Sequence, residues 1–212
     1  MINAPDARQG RDMMLLTADR IIAAEEMLSQ ADRDLGDGDH GLGMKRGMEA
    51  VKAKLAAMEP ASVEEVFSAA GMAMMSSMGG ASGALFGTVF RAGSKGLTGR
   101  PTLDSEGMAL FLEAAVEGVR KRGGAEIGDK TMVDALAPAA TAARESAALP
   151  LGEALSAIAA ASEAGKEASR AMVAKFGRAK TLGEACIGFP DAGALSVTII
   201  LTAFRDYVSE AS

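Results

Sequence analysis

A single cysteine, Cys186, rules out an internal disulfide and any metal site built from several thiolates, so a structural thiol is expected there. Tryptophan is absent and aromatic residues make up only 4% of the chain, so a core has to be filled by Ala, Leu, Ile, Val and Met. That supply favours helices over strands. Basic residues are in the minority, with a net charge of −6, which argues against nucleic acid as a partner. The longest apolar stretch, Ala192 to Phe204, is too short to span a bilayer, and Met1 to Asp12 lacks the charged-then-apolar pattern of a signal peptide. A cytoplasmic protein with no membrane partner is expected. One histidine, His40, and no marked nucleophilic serine exclude a Ser-His-Asp centre.

What is present is helical periodicity. The 212 residues, 49% of them hydrophobic, suffice for one domain, expected to run over 1–212. Apolar residues recur at helical spacing in almost every segment, and the chain reads as eight amphipathic helices. The first is expected near Asp12 to Gln30 and the second near Gly43 to Met58. The third opens at Ser62 with Glu65 at capping-box spacing, the fourth starts at Ser82, and the fifth runs from Asp104 to a stop at Gly123 and Gly124. The sixth follows Asp129 and contains Pro138, which should bend it; the seventh spans Leu151 to Phe176, and the eighth starts near Asp191.

Glycine, aspartate and serine concentrate in 36–41, 79–83, 123–130 and 177–193, the connections from each odd helix to the next even one. Short loops make consecutive helices antiparallel, so all four unusual loops are expected at one end of the bundle.

The first of these loops carries Asp32, Asp34, Asp37 and Asp39 within eight residues, interleaved with glycines. Such crowding of carboxylates calls for a counter-ion, and magnesium, a hard cation that keeps positions for water and phosphate, suits it. An EF-hand frame fails, because starting at Asp37 puts Met48 in the final position, where Glu is needed. A solvated turn with capping aspartates is the plainer alternative. Asp34 is read as the spare carboxylate. His40 is either a core or capping histidine or a contact to a nucleotide. The second loop, Ser76 to Gly83, leads into a helix whose free N–H groups attract anions, although small residues there also permit close helix packing. In the fourth, Arg178 is either a neutraliser of phosphate charge that the metals leave uncompensated or a lone surface arginine without a role.

Together, Asp-x4-Gly-Asp-Gly-Asp-His-Gly at 32–41, Ser-Ser-Met-Gly-Gly-Ala-Ser-Gly at 76–83, Gly-Asp-Lys-Thr-Met at 128–132, Gly-Arg-Ala at 177–179 and Asp-x-Gly-Ala at 191–194 resemble the DhaL family, the nucleotide-binding subunits and domains of dihydroxyacetone kinases. The resemblance implies an all-α barrel of eight antiparallel helices holding ADP or ATP and two Mg2+ ions at one end. On the family pattern Asp32, Asp37 and Asp39 are the metal ligands. His40, Gly41, Leu42 and Gly43, with Ala81 and Ser82, line the phosphate and sugar region, and Gly123 and Met132 border the base. Arg178 and the turn Asp191, Ala192 and Gly193 close over the nucleotide, with Arg178 the catalytic residue. A DhaK-like partner subunit would hold the ketose, a DhaM-like phosphotransferase-system donor would recharge ADP in one version of the family, and a homodimer is allowed.

Three departures stand out: Ala192 where the family usually has proline, Phe189 where a small or polar residue is common, and Ala185 where arginine often follows the glutamate. They leave nucleotide retention and the identity of the short ketose, dihydroxyacetone or one such as erythrulose, open. The rival reading is a nucleotide-sensing module that regulates another protein through the same pocket; a helical metal-binding protein without nucleotide is a third.

Overall fold

The computed structural model describes residues 3–210, so the outermost two positions at either end of the expected 1–212 domain lie outside the described residues. Helices begin where side chains absorb the free N–H groups of a first turn. Asp6 accepts the Gln9 N–H ahead of α1 (Ala7–Ala23), and Gln9 accepts the Asp6 N–H in return. Ser62 accepts the Glu65 N–H ahead of α4 (Val63–Ser77), while the Glu65 carboxylate takes the N–H of Ala61. Asp104 caps α6 (Ser105–Gly123), which ends at a left-handed Gly124, as its paired glycines predict. The other α-helices are α2 (Glu25–Arg33), α3 (His40–Ala56), α5 (Gly80–Lys95), α7 (Val133–Glu145), α8 (Leu151–Ala168) and α9 (Ala192–Glu210); the α8–α9 connection holds 3-10 turns at Ser169–Ala171 and Arg178–Cys186, and there is no strand among the described residues. None of these helices is long and apolar enough to cross a membrane.

From α3 onward each helix packs on the next, and α1 packs on both α3 and α9, so the series closes on itself around one core. Four of the seven phenylalanines meet at its centre. Phe67 lies 4.8 Å from Phe111 and 5.9 Å from Phe204, ring centre to ring centre, with Phe90 beside them, and methionines such as Met13, Met44 and Met48 fill the remaining space.

Three expectations about the helices need correction. The first expected helix is two, because the backbone turns at Ala24 (φ −87°, ψ 5°); α2 then lies against the start of α3, where Gly41 has no room for a side chain beside the Glu25 carbonyl and Ser29. The seventh stops at Ala168 rather than Phe176. The Ser169 carbonyl, which a continuing helix would give to residue 173, instead accepts Lys130 Nζ at 2.6 Å and the Met172 N–H at 3.2 Å. The fourth begins at Gly80, ahead of Ser82. Pro138 sits inside α7 without ending it. It leaves the Asp134 carbonyl without its usual intrahelical donor, and Gly165 of α8 packs its Cα against that oxygen, where a Cβ would come within 2.0 Å.

Candidate functional site

The connection between α2 and α3 folds back so that one carboxylate oxygen each of Asp32, Asp37 and Asp39 lies within 4.8 Å of the others. Asp32 is oriented by the His40 backbone N–H, which donates to its Oδ2 at 3.1 Å. Asp37 is held by Arg178 Nη2 at 2.8 Å. Asp39 immediately precedes α3, and no side-chain bond from it caps that helix. Asp34 stays apart: its carboxylate is taken by Gln30 Nε2 at 2.9 Å, in keeping with its reading as the spare. Three hard oxygen donors converging at a partly open position fit a magnesium ion with coordination sites left for water and phosphate.

Two helix N-termini meet beside this cluster. In α3 the first backbone bond is from Gly43 N–H to Asp39 O, which leaves the Gly41 and Leu42 N–H groups ahead of the helical ladder. In α5 the first is from Gly83 N–H to Gly79 O, which leaves those of Gly80, Ala81 and Ser82. The His40 ring, at the start of α3, stands 5.8 Å from that of Phe86, in the second turn of α5. The glycines of the second loop and of the helix it leads into divide into two kinds. Gly79 (φ +74°) and Gly80 (φ +60°) have open space where a Cβ would stand, so backbone conformation requires them; Gly83 and Gly87 have none, being pressed on Met78, Met75 and Gly71. Close packing thus accounts for Gly83 and Gly87, and backbone conformation for Gly79 and Gly80.

The α6–α7 and α8–α9 connections reach the same end. Leu35, next to the aspartates, packs on Ala174 and Cys186. The Cys186 thiol is buried, accepting the Ala174 N–H at 3.3 Å, which fits the structural role expected of it. Met132, at the start of α7, is buried with its Cβ facing Gly193, where an added Cβ would stand 3.2 Å away, and Gly123 at the end of α6 is backed by Leu85 of α5. Asp191 caps α9 by accepting the Ala194 N–H at 2.8 Å, so Ala192 occupies the first helical position. Leu42 and Ala81 are exposed, and Ser82 and Gly123 are half-buried.

Electrostatics sort the titratable groups. His40 is buried with Nε2 2.8 Å from Ser196 Oγ, and burial pulls its pKa below the usual histidine range against the pull of Asp32 and Asp39. Its side chain is thus a buried, hydrogen-bonded group at the start of α3, and its backbone N–H serves the aspartate loop. The Asp191 carboxyl is partly exposed at its surface, yet desolvation by the surrounding chain pushes it up to about 7, opposed by the Ala194 N–H and by Lys130.

Two groups were not singled out from sequence. Asp134 is buried and accepts N–H groups from Gly128 at 2.6 Å and Thr131 at 2.7 Å, fixing the loop before α7. Its signal, a carboxylate three residues after Thr131, is too common to select it. Lys130 is buried against Ser169 and Phe189; it lies in the Gly-Asp-Lys-Thr-Met motif at 128–132, which marks the segment without giving the lysine a role.

Comparison with known proteins follows the same lines. The model of the DAK2 domain family matches residues 34–206. The chain is 38% identical over 185 residues to the ADP-binding subunit DhaL of PEP-dependent dihydroxyacetone kinase 1 from Listeria innocua, covering 87% of this chain and 88% of that one. To the corresponding subunit of Escherichia coli K12 it is 39% identical over 178 residues, covering 83% and 85%. It is also 39% identical over 199 residues to the D-erythrulose kinase of Mycolicibacterium smegmatis, covering 91% of this chain but 34% of that enzyme. The crystal structure of the dihydroxyacetone kinase of C. freundii superposes with a TM-score of 0.73 over 97% of this chain and 36% of that one, and at 24% identity it supports the fold. By sequence along nearly its whole length and by its all-helical architecture, the chain belongs to the DAK2 domain family, with the DhaL subunits among its relatives.

Proposed function

We propose that this chain is the nucleotide-binding subunit of a dihydroxyacetone kinase, holding ADP or ATP with two Mg2+ ions and passing the γ-phosphoryl group to a short ketose bound on a partner subunit. The observation that carries this reading is the gathering of Asp32, Asp37 and Asp39 within 4.8 Å beside the open N-termini of α3 and α5. Negative side chains alone would repel a nucleotide, and N–H groups alone would bind any anion; side by side they suit a metal-bound polyphosphate. Magnesium, when bound, would neutralise phosphate charge.

The chain's own residues supply the rest. The carboxylates hold the cation, and the N–H groups of Gly41, Leu42, Ala81 and Ser82 orient phosphate oxygens. Gly123 and Met132 border the base, and the Asp191 to Gly193 turn closes the far side. Arg178 is exposed over 70% of its side chain and bound to protein through Asp37, so it is free to turn onto phosphate as charge moves during transfer. No side chain here forms a covalent intermediate, so positioning and charge stabilisation account for catalysis. The relatives described as PEP-dependent or PTS-dependent favour a phosphotransferase-system protein as the donor that recharges ADP.

Calorimetric titration with ADP, with and without Mg2+, tests the binding half. Mixing with a ketose-binding subunit, ATP and dihydroxyacetone tests transfer. Tight Mg-ADP binding without any triose phosphate would transfer support to the nucleotide-sensing reading, and no binding at all would refute both.

A further inference from the structure

Metal and phosphate chemistry leaves Lys130 unexplained. Its side chain is 2% exposed, a rare state for a lysine, whose ammonium ordinarily stays in water. Nζ donates to two backbone carbonyls, Ser169 O at 2.6 Å and Phe189 O at 2.6 Å. These acceptors stand at the two ends of the long connection between α8 and α9. Among the described residues Lys130 is also the one non-glycine residue with positive φ, +58°, a conformation that persists where surroundings over-determine it.

Contacts around it draw the same two ends together. Ser169 Oγ accepts the Asp191 N–H at 2.9 Å, the Gly188 N–H donates to Arg170 O at 2.8 Å, and Arg170 Nη1 donates to Gly188 O at 2.9 Å. Beside Lys130, Asp129 accepts the Lys175 ammonium on its carboxylate and the Lys175 N–H on its carbonyl. The chain between these ties carries Arg178 on Asp37 and sets Ala174 and Cys186 against Leu35.

We propose that Lys130 is a positioning residue whose ammonium clamps both ends of residues 169–189, so that this segment is held over the site as one lid presenting Arg178 to the phosphate end. A lysine suits the task because its nitrogen sends several donors from one point along a flexible stem, whereas a planar guanidinium would not converge on two carbonyls in this way. Burial pushes its pKa below the ordinary lysine range, with Asp191 and Asp134 acting in the opposite sense; a neutral amine keeps two donors, so the clamp survives either state. The inference rests on reading the site as a nucleotide site.

The test begins with wild-type protein. Under brief acetylation read by mass spectrometry, Lys130 should react at least about tenfold more slowly than exposed Lys54, as expected of a group reached only by local opening. Lys130→Met removes the donors and keeps most of the stem, while Lys130→Gly also relieves the positive φ. Both should speed ADP release in Mg2+ by about tenfold to a hundredfold, the scale on which partners behind binding groups act. Amide exchange should quicken within 172–187 and stay unchanged in α4 to α6. Reaction of Lys130 as fast as Lys54 would overturn the clamp without any variant. So would wild-type release rates in both variants, or exchange that rises evenly through the bundle, which marks a merely structural lysine. Failure of wild-type protein to bind Mg-ADP would refute the nucleotide reading instead, and acetylation and exchange of the unliganded protein would still decide the clamp.

Discussion

Replacing Asp39 by Asn should stabilise the protein without metal and abolish its stabilisation by Mg-ADP. Three carboxylate oxygens within 4.8 Å of one another repel. At that separation each pair costs about 0.9 kcal/mol in a water-like medium and about 3.5 kcal/mol at an effective dielectric of about 20. Asp39 faces two such neighbours at a solvent-exposed position, where salt screens the charges, so the gain on neutralising it is about 1 kcal/mol. For a chain of this size that raises the melting temperature by about 2–4 °C. With wild type, ADP at about a hundred times its dissociation constant adds about 2.7 kcal/mol. The variant loses a charged ligand and should gain almost none of this. The assay is a thermal melt in EDTA and again in Mg2+ with ADP. Asp34→Asn, outside the cluster, should change neither value, and Asp37→Asn should lose the ligand effect with a smaller gain in EDTA, because it also frees Arg178. An Asp39→Asn protein that melts lower in EDTA, or that keeps the full Mg-ADP shift, would refute the idea that these carboxylates form one cation site.

Other outcomes follow from the same geometry. Arg178→Ala removes an exposed ion pair worth at most about 1 kcal/mol to the fold, so stability should hold while coupled triose phosphate formation falls far more than ADP affinity; equal losses in both would make Arg178 an ordinary phosphate anchor. Gly80→Val should keep the fold, since the space beside it is open, at a backbone cost of about 1–2 kcal/mol, and should cut ADP affinity severely; Gly87→Val, pressed on Met75 and Gly71, should instead unfold the protein as followed by circular dichroism. Ala192→Pro places proline at the first position of α9, where no N–H is required, and should stabilise by about 0.4–1 kcal/mol and slow ADP release in a stopped-flow chase. Asp191, raised to about 7 in the folded protein, binds protons there that the unfolded chain has released, so its contribution to stability declines as pH rises from about 4 to about 7; Asp191→Asn should remove that slope from the pH dependence of urea unfolding.

The helices, the capped starts at Ser62 and Asp104, the glycine stop at 123–124 and the aspartate loop were legible in the chain because each is local: a periodicity, a cap or a crowd of like charges within a dozen residues. The approach of the unusual loops to one another was legible too, since helices that alternate in direction put every second connection at the same end, the long α8–α9 connection included. Other features depend on partners remote in sequence. The break at Ala24 reflects the seat of α2 against Gly41, and α8 ends early because Lys130, 39 residues away, takes up the Ser169 carbonyl. His40 lies beside the clustered aspartates in sequence, yet its ring is buried against Ser196, 156 residues on, a partner that no local pattern names. Periodicity reports which face of a helix is apolar, whereas the fate of a single polar side chain depends on which donors and acceptors the packed chain brings within about 3 Å of it, and only tertiary structure decides that.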